Sequence, residues 1–271
     1  MTTVRLAVGG PPDALAKGLA EAEDKPGLLV SYVYLKQFLR AREKYGFRDW
    51  VMDSGAFSAH NSGKTITLQS YIDVCSKLKA TDPQLTEIFS LDVIGDYKAG
   101  LANVKEMWRQ GIEAIPTWHP GEPWGVLTDI AAEYPKIAIG GLVRLHPKEK
   151  KRILDQVFAR VWPKKLHGFG IASEEIIMRY PFDSVDASNW ELMPTAFGRW
   201  SAYGKAQLSI KGSSQNLRAE VEHFLRMEAR ARDRWRGEMK LLGSTAGPTV
   251  RLATARPASA SSTKPRTERD Q

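Results

Sequence analysis

The sequence predicts an α/β fold in which eight parallel strands alternate with helices and close into a (β/α)8 barrel of the TIM type. Eight short apolar runs are separated by longer amphipathic segments, which is the pattern of repeated β-α units. Eight strands are the number that closes such a barrel, and the chain of 271 residues nearly fits the length of one. An open, doubly wound sheet is the alternative arrangement of the same units.

The predicted strands come from apolar runs that end at turn residues or polar side chains. In chain order they are Val4–Val8, Leu28–Val33, Asp49–Met52, Glu87–Val93, Ile112–Trp118, Lys136–Leu142, Leu166–Ile171 and Phe182–Val185. The helices between them are predicted from apolar residues at steps of three and four. They are Leu35–Tyr45, Leu68–Leu78, Leu101–Trp108, Trp124–Tyr134, Lys148–Val161 and Glu174–Tyr180. Pro147 suits the first position of a helix, where a backbone N–H has no partner within the helix.

The pattern changes after the eighth predicted strand. Residues 191–212 are aromatic and irregular, and Asn216–Leu242 has the charge and length of a long helix. From residue 243 onward Ser, Thr, Ala and Pro dominate, with scattered Arg, so a disordered basic tail is predicted. The predicted domains are a catalytic barrel over 1–212, a charged helix over 213–242 that packs on or beside the barrel, and the tail 243–271.

Composition excludes several classes of protein. An apolar share of 42% with eight Trp excludes a mostly disordered chain. No apolar run approaches the ~20 residues of a membrane span. The single cysteine, Cys75, cannot form an internal disulfide or a Cys-rich zinc site, so we expect a soluble intracellular protein. The net charge of +8 hints at a polyanionic partner, although most of the excess lies beyond residue 214.

Candidate catalytic residues are sought where strands end, because a barrel of this type carries its catalytic side chains at the C-terminal ends of the strands. A carboxylate inside or just after an apolar strand is costly unless it is paired or used. Asp53, Asp92 and Asp183 occupy such positions on three predicted strands. Each alone could cap a helix, but the three together indicate a carboxylate-based site. His119 and His167 could join Asp183 as metal ligands, although no pair with metal-binding spacing supports this.

Four segments between residues 50 and 190 resemble tRNA-guanine transglycosylases in order and approximate spacing. Asp53-Ser54-Gly55-Ala56-Phe57-Ser58 resembles their Asp-Ser-Gly-Gly-Phe-Gln, Ser90-Leu91-Asp92 their Ser-Phe-Asp, Gly140-Gly141-Leu142 their Gly-Gly-Leu, and Phe182-Asp183-Ser184-Val185 their Phe-Asp-Cys-Val. The single cysteine cannot build the Cys-rich zinc site of those enzymes. The histidine after the fifth strand, the His-Gly-Phe-Gly segment from His167 and the Ser-Val-Asp-x-x-x-Trp segment from Ser184 are more similar to the bacteriophage DNA transglycosylases.

That resemblance implies a phage-encoded glycosyltransferase of the host cytoplasm, without cofactor or metal, that exchanges guanine in DNA for a 7-deazaguanine (preQ0-like) base. Its partners would be single-stranded or flipped-out DNA and the free base. The catalytic roles carried over are Asp183 as the nucleophile that forms a covalent sugar intermediate and Asp53 as the general acid/base. The substrate-binding residues implied or proposed beside them are Asp92, His119, Gly140, Gly141, Leu142, His167, Phe169, Ser54, Phe57 and Asp186.

A basic stretch is a candidate face for the nucleic-acid backbone. Its residues are Lys148, Lys151, Arg152, Lys164 and Lys165, and the alternative is an ordinary solvated helix. Three other functions stay open at this point: a tRNA transglycosylase, a metal-dependent hydrolase on the same barrel, and a nucleic-acid-binding protein without catalysis.

Overall fold

The computed structural model describes residues 2–9, 13–195 and 214–242. Its eight strands are β1 (Thr3–Val8), β2 (Gly27–Ser31), β3 (Trp50–Asp53), β4 (Leu85–Ile88), β5 (Thr117–Trp118), β6 (Lys136–Ile139), β7 (Lys165–Gly168) and β8 (Ser184–Ala187). They form one parallel sheet in the order β4-β3-β2-β1-β8-β7-β6-β5. A parallel bridge between Phe89 and Ile115 joins the two outer strands, and Ser90 N–H donates to Ile115 O at 2.9 Å. The sheet therefore curls into a TIM-type barrel, which confirms the predicted fold class.

The helices lie between the strands, as the alternating pattern predicts. They are α1 (Asp13–Glu21), α2 (Leu35–Ala41), α3 (Ala56–Asn61), α4 (Leu68–Thr81), α5 (Tyr97–Arg109), α6 (Trp124–Glu133), α7 (Pro147–Val161), α8 (Glu174–Arg179), α9 (Asn189–Thr195) and α10 (Ser214–Leu242). Pro147 begins α7, as predicted. The predicted helix Leu35–Tyr45 ends earlier, at Ala41, and continues as a 3-10 turn, Arg42–Lys44. Three helices were not predicted from the sequence: α1, α3 and α9. Of these, α3 and α9 span two turns or fewer.

Several strands are shorter than predicted, because apolar residues continue beyond them into buried loops. Leu91, Leu142 and Ile171 are buried and lie past the ends of β4, β6 and β7. The eighth strand is displaced: it was predicted as Phe182–Val185 and lies at Ser184–Ala187. Phe182 is buried outside the strand, and its apolar character misplaced the prediction by two residues. Asp183 therefore precedes β8, and Asp186 lies inside it.

The barrel interior is layered along its axis. An apolar layer crosses its middle, made of Leu29, Val51, Phe89, Ile115 and Ala138, with Ala7 and Phe169 packed against it. Arg5, Lys136 and Ser184 lie in the N-terminal halves of their strands, on one side of this layer, and the Glu87 carboxylate joins them through Lys136. The C-terminal ends of the strands, on the other side, carry the candidate site. The main core packs the outer faces of the strands against the helices.

The helix α10 buries an apolar face whose residues recur at steps of three and four, namely Leu217, Val221, Phe224, Met227, Ala231 and Trp235. Trp235 Nε1–H donates to Ile177 O at 3.0 Å, and Val4 N–H donates to Glu228 Oε2 at 2.7 Å. These contacts pack the helix against the barrel within the compact unit Met1–Arg236. The second unit, Gly237–Gln271, includes the end of α10.

The division of the chain into three predicted domains stays a prediction. The predicted tail 243–271 and residues 196–213 lie outside the described residues, and the predicted domain limits stay predictions. Of the helices that the structure describes, none is long and apolar enough to cross a membrane.

Candidate functional site

Three carboxylates meet at the C-terminal end of the barrel. Asp53 is the last residue of β3, Asp92 lies in the loop after β4, and Asp186 is the third residue of β8. Burial, together with the negative charges of Asp92 and Asp186, raises the pKa of Asp53 to about 7. Burial likewise raises the pKa of Asp186 to about 7. Backbone N–H groups donate to both, from Gly55 to Asp53 at 3.1 Å and from Gly170 to Asp186 at 2.8 Å, and the Ser31 side chain also acts on Asp53; these hydrogen bonds lower the two pKa values but do not outweigh burial.

Asp183, the predicted nucleophile, is not brought to this group. Its carboxylate lies 2.8 Å from the ammonium of Lys136, the first residue of β6, at the N-terminal end of the barrel. Burial alone would raise the pKa of Asp183, but the Lys136 ammonium outweighs burial and holds that pKa below its ordinary value. The physical reason for the difference is where β8 begins: the strand starts at Ser184, so Asp183 precedes it and Asp186 lies inside it.

Asp92 is held by two side chains. Ser54 Oγ–H donates to Asp92 Oδ1 at 3.0 Å, and His119 Nε2 lies 3.4 Å from Asp92 Oδ2. The other ring nitrogen of His119 lies 3.1 Å from Glu122 Oε1. Burial by itself lowers the pKa of His119, but the hydrogen bonds and charges of Asp92 and Glu122 outweigh it and raise that pKa to about 9. At neutral pH the site therefore presents an imidazolium donor beside a carboxylate acceptor.

The predicted Gly-Gly-Leu segment follows β6 beside this pair. A Cβ on Gly140 would lie 2.5 Å from His119 Nε2, so glycine is required there by the imidazole ring. The backbone of Gly141 is left-handed, with φ 69°, and Leu142 is fully buried, so the segment can offer backbone groups to a ligand. A small cleft beside α5 is lined by Asp92, His119 and Glu122 together with Leu101, Val104 and Val126.

The aromatic candidates lie at different depths. Phe57 is 53% exposed at the mouth, with the Arg144 guanidinium carbon 4.8 Å from its ring centroid. Phe169 is partly buried, with its ring centroid 4.7 Å from that of Phe89 in the apolar layer. His167 is fully buried and packs between these last two rings, so it lies below the mouth instead of lining it.

The basic residues predicted as one nucleic-acid face are divided between the two ends of the barrel. Lys148 is exposed in the first turn of α7, near the C-terminal ends of the strands, whereas Lys165 begins β7 at the opposite end. The 15 residues of α7 separate them by roughly 22 Å. Lys164 donates to Tyr134 O at 3.0 Å, Lys151 is paired with Glu175, and Arg152 lies 4.0 Å from Glu149. The five residues are therefore not gathered at one end of the barrel, and a nucleic-acid face over this stretch stays a prediction.

The structure adds three residues that sequence reasoning missed: Glu122, Lys136 and Ser184. Glu122 could have been found from its position three residues after His119, and Lys136 from its place in an otherwise apolar strand. No group of three or more His, Cys, Asp or Glu side chains among the described residues is arranged to hold a metal ion. The alternative metal set of His119, His167 and Asp183 is thus not brought together.

Comparison with known proteins places the fold. No protein-family model matches the chain, and no curated protein sequence matches it. Among solved structures, the chain is similar to a candidate fructose-1,6-biphosphate aldolase from Coccidioides immitis, with 14% identity, a TM-score of 0.52, and coverage of 84% of this chain and 89% of that one. A tryptophan synthase α-subunit from Pyrococcus furiosus matches with 14% identity and a TM-score of 0.49, over 83% of this chain and 97% of that one. At such identities the first likeness shows the barrel fold alone.

Proposed function

We propose that this chain is an enzyme that exchanges guanine in DNA for a 7-deazaguanine base, with Asp186 in place of Asp183 as the nucleophile. An Asp186 oxygen attacks C1′ of the deoxyribose while the bond from C1′ to N9 breaks, and the departing guanine takes a proton from Asp53. The incoming base then loses its N9 proton to Asp53, and its N9 attacks C1′ and releases Asp186. Two displacements retain the configuration at C1′, as in retaining glycosidases.

The observation that carries this proposal is the pair of carboxyl groups with raised pKa at the catalytic end of the barrel. The pKa values of Asp53 and Asp186 are both about 7, and the charge of Asp186 raises the pKa of Asp53. Near neutral pH, the state with one proton on the pair is therefore well populated. That state supplies what double displacement requires: one carboxylate to attack and one carboxylic acid to protonate the leaving base.

The pair of His119 and Asp92 supports guanine as the base. Its imidazolium nitrogen and its carboxylate oxygen lie 3.4 Å apart, and a base that displaces this long contact would meet a donor beside an acceptor. Guanine and 7-deazaguanines present the complement, an O6 acceptor beside an N1–H donor, whereas adenine presents a donor beside an acceptor lone pair in the reverse order. The base recognition implied by the resemblance for Asp92 and His119 is consistent with this arrangement.

The test is incubation of the full chain with a guanine-containing DNA oligonucleotide, or with tRNA, and free 7-cyano-7-deazaguanine. Mass spectrometry of the released nucleosides should show the exchanged base in DNA and not in tRNA. Without free base, a denaturation-resistant protein–DNA adduct should accumulate, and fragmentation of the tryptic peptide should place it on Asp186. Exchange in tRNA would show that the substrate is tRNA and not DNA. An adduct on Asp183 would show that Asp183 is the nucleophile, as the resemblance implies. No exchange in either nucleic acid would contradict the proposal.

A further inference from the structure

A hydrogen-bonded chain runs through the barrel from its N-terminal end to the candidate nucleophile. Lys136 Nζ lies 2.9 Å from Ser184 Oγ, and Ser184 Oγ lies 2.8 Å from His167 Nδ1. The imidazole of His167 crosses the apolar layer between Phe89 and Phe169. On its far side, His167 Nε2 lies 3.4 Å from Asp186 Oδ1.

The ammonium of Lys136 sets the direction of every hydrogen in this chain. It can only donate, and its contacts are Glu87 at 2.7 and 2.9 Å, Asp183 at 2.8 Å and Ser184. Ser184 Oγ must therefore accept from Lys136, which leaves the hydroxyl hydrogen to be donated to His167 Nδ1. With Nδ1 as an acceptor, a neutral imidazole carries its hydrogen on Nε2, which faces Asp186.

The protonation state of His167 agrees with this direction. Burial and the nearby Lys136 ammonium lower the pKa of His167 well below its ordinary value, so the ring is neutral. Its Nε2 is buried and makes no hydrogen bond of ordinary geometry. A buried donor without a formed hydrogen bond is costly. Here the donor faces Asp186, which in the proposed mechanism attacks as a carboxylate and then forms the covalent bond to the sugar.

We propose that Lys136, Ser184 and His167 are positioning residues that hold a hydrogen-bond donor at His167 Nε2 toward the Asp186 carboxylate. The inference rests on the proposed function for its effect on catalysis, but the direction of the hydrogens does not depend on that function. The donor stabilises the ionised form of Asp186 and is available again when the sugar leaves. Removal of the Ser184 hydroxyl takes away the donor to Nδ1, so the fraction of rings that carry their hydrogen on Nε2 falls and the donor toward Asp186 is weakened.

Other charged groups face this chain and bear on its pH dependence. Those around His167 are Lys136 on β6, Glu87 on β4, Arg5 on β1 and Asp183 before β8. Asp186 contacts His167 and the Gly170 N–H group and acts on Asp53. All of these charged groups are unchanged in Ser184→Ala, which removes only a hydroxyl. The variant therefore alters the hydrogen bond at His167 Nδ1 without removing a charge.

The first test measures the tautomer directly in the full chain, without substrate. Long-range 1H–15N spectra of protein labelled in histidine, with His167 assigned by its absence in His167→Gln, should show a neutral ring with its hydrogen on Nε2. Ser184→Ala should move that hydrogen wholly or partly to Nδ1, and Ser184→Thr should restore it. Thr2→Val is the matched control, because it removes a buried hydroxyl that donates to Phe182 O at 2.7 Å outside the chain. A hydrogen on Nδ1 in the wild type, an imidazolium, or no change in Ser184→Ala would overturn the inference.

The second test uses base exchange. Ser184→Ala should shift the acidic limb of kcat/KM toward higher pH, with a loss of about tenfold at pH 6.5 and less than threefold at pH 8.5. Ser184→Thr should recover the wild-type profile, whereas a residue that only supports the fold would lower activity equally at both pH values. Exchange with an unshifted profile would contradict the inference alone. If exchange is absent in the wild type, the proposed function fails, and the tautomer still decides the inference.

Discussion

The two ends of the barrel hold carboxylates in opposite electrostatic states. At the N-terminal end, Asp183 is paired with Lys136, and its pKa is below the ordinary value. At the C-terminal end, Asp186 lies inside β8 and has a pKa raised to about 7 by burial. These residues are three positions apart in the sequence, so the distinction comes from the partners that the fold supplies and not from local composition.

The difference separates a carboxylate held as an anion from one that can carry a proton near neutral pH. A buried carboxylate with an ammonium partner is stable as an anion and adds to the fold only as a pair. A buried carboxylate that meets backbone donors, a histidine and another carboxylate keeps a proton near neutral pH and can exchange it. The same contrast applies to cations: Lys136 lies between Glu87 and Asp183, whereas the titratable His119 lies between Asp92 and Glu122.

The largest expected effect comes from exchanging the roles of Asp186 and Asp183. Asp186→Asn should lower the rate of base exchange by about 10³-fold or more, because the nucleophile is lost. Asp183→Asn, the matched control, should retain exchange within about tenfold, because its carboxylate contacts Lys136 away from the reacting atoms. The measurement is incorporation of labelled guanine into DNA under single-turnover conditions. Full activity in Asp186→Asn would remove the distinction between the two ends.

The same two variants should change stability in opposite directions above neutral pH. A pKa of about 7 in the folded chain, against 3.8 ordinarily, means that Asp186 favours folding below pH 4 and loses that contribution as pH rises toward 7. Asp186→Asn should therefore raise Tm at pH 8 and give no such gain at pH 4. The corresponding gain in the free energy of unfolding at pH 8 is at most about 4 kcal/mol. Asp183 has a lowered pKa, so it stabilises above its ordinary pKa and Asp183→Asn should lower Tm at pH 8. Thermal unfolding at both pH values tests the signs, and equal shifts would contradict them.

Replacement of Glu122 should have a smaller effect, confined to binding of the base. Glu122→Gln removes one of two carboxylates that raise the pKa of His119 to about 9, so this pKa falls and a larger fraction of the rings is neutral at pH 8 than in the wild type. The KM for free guanine should then rise about tenfold at pH 8 and change little at pH 6. Glu113→Gln, at an exposed glutamate before β5, is the control. An equal rise at both pH values would show that the charge of His119 is not the cause.

The sequence was sufficient for the barrel and for several residues that the structure brings to the candidate site. Alternating apolar runs and helices predict β-α units whatever the exact strand ends, and Asp53, Asp92 and His119 lie at or just after the ends of strands whose order is easily recognised. The start of β8 was predicted two residues too early because Phe182 extends an apolar run, and such a run does not say where hydrogen bonding to the neighbouring strand begins. The partners of Lys136 and of His167 come from other strands, and contacts at that separation leave no pattern in one sequence.

The smallest expected effect concerns the binding of nucleic acid by exposed lysines at opposite ends of the barrel, Lys148 in α7 and Lys165 in β7. Lys148 lies near the catalytic end and Lys165 at the opposite end, and both are exposed. Lys148→Glu should weaken binding of a single-stranded oligonucleotide several-fold at low salt and make binding less dependent on salt, since a phosphate contact is lost. Lys165→Glu makes the same charge change and should leave both unchanged. Fluorescence anisotropy at several salt concentrations measures the affinity and its salt dependence. Equal losses of affinity in the two variants would indicate that binding depends on the net charge of the chain and not on the end of the barrel at which the lysine lies.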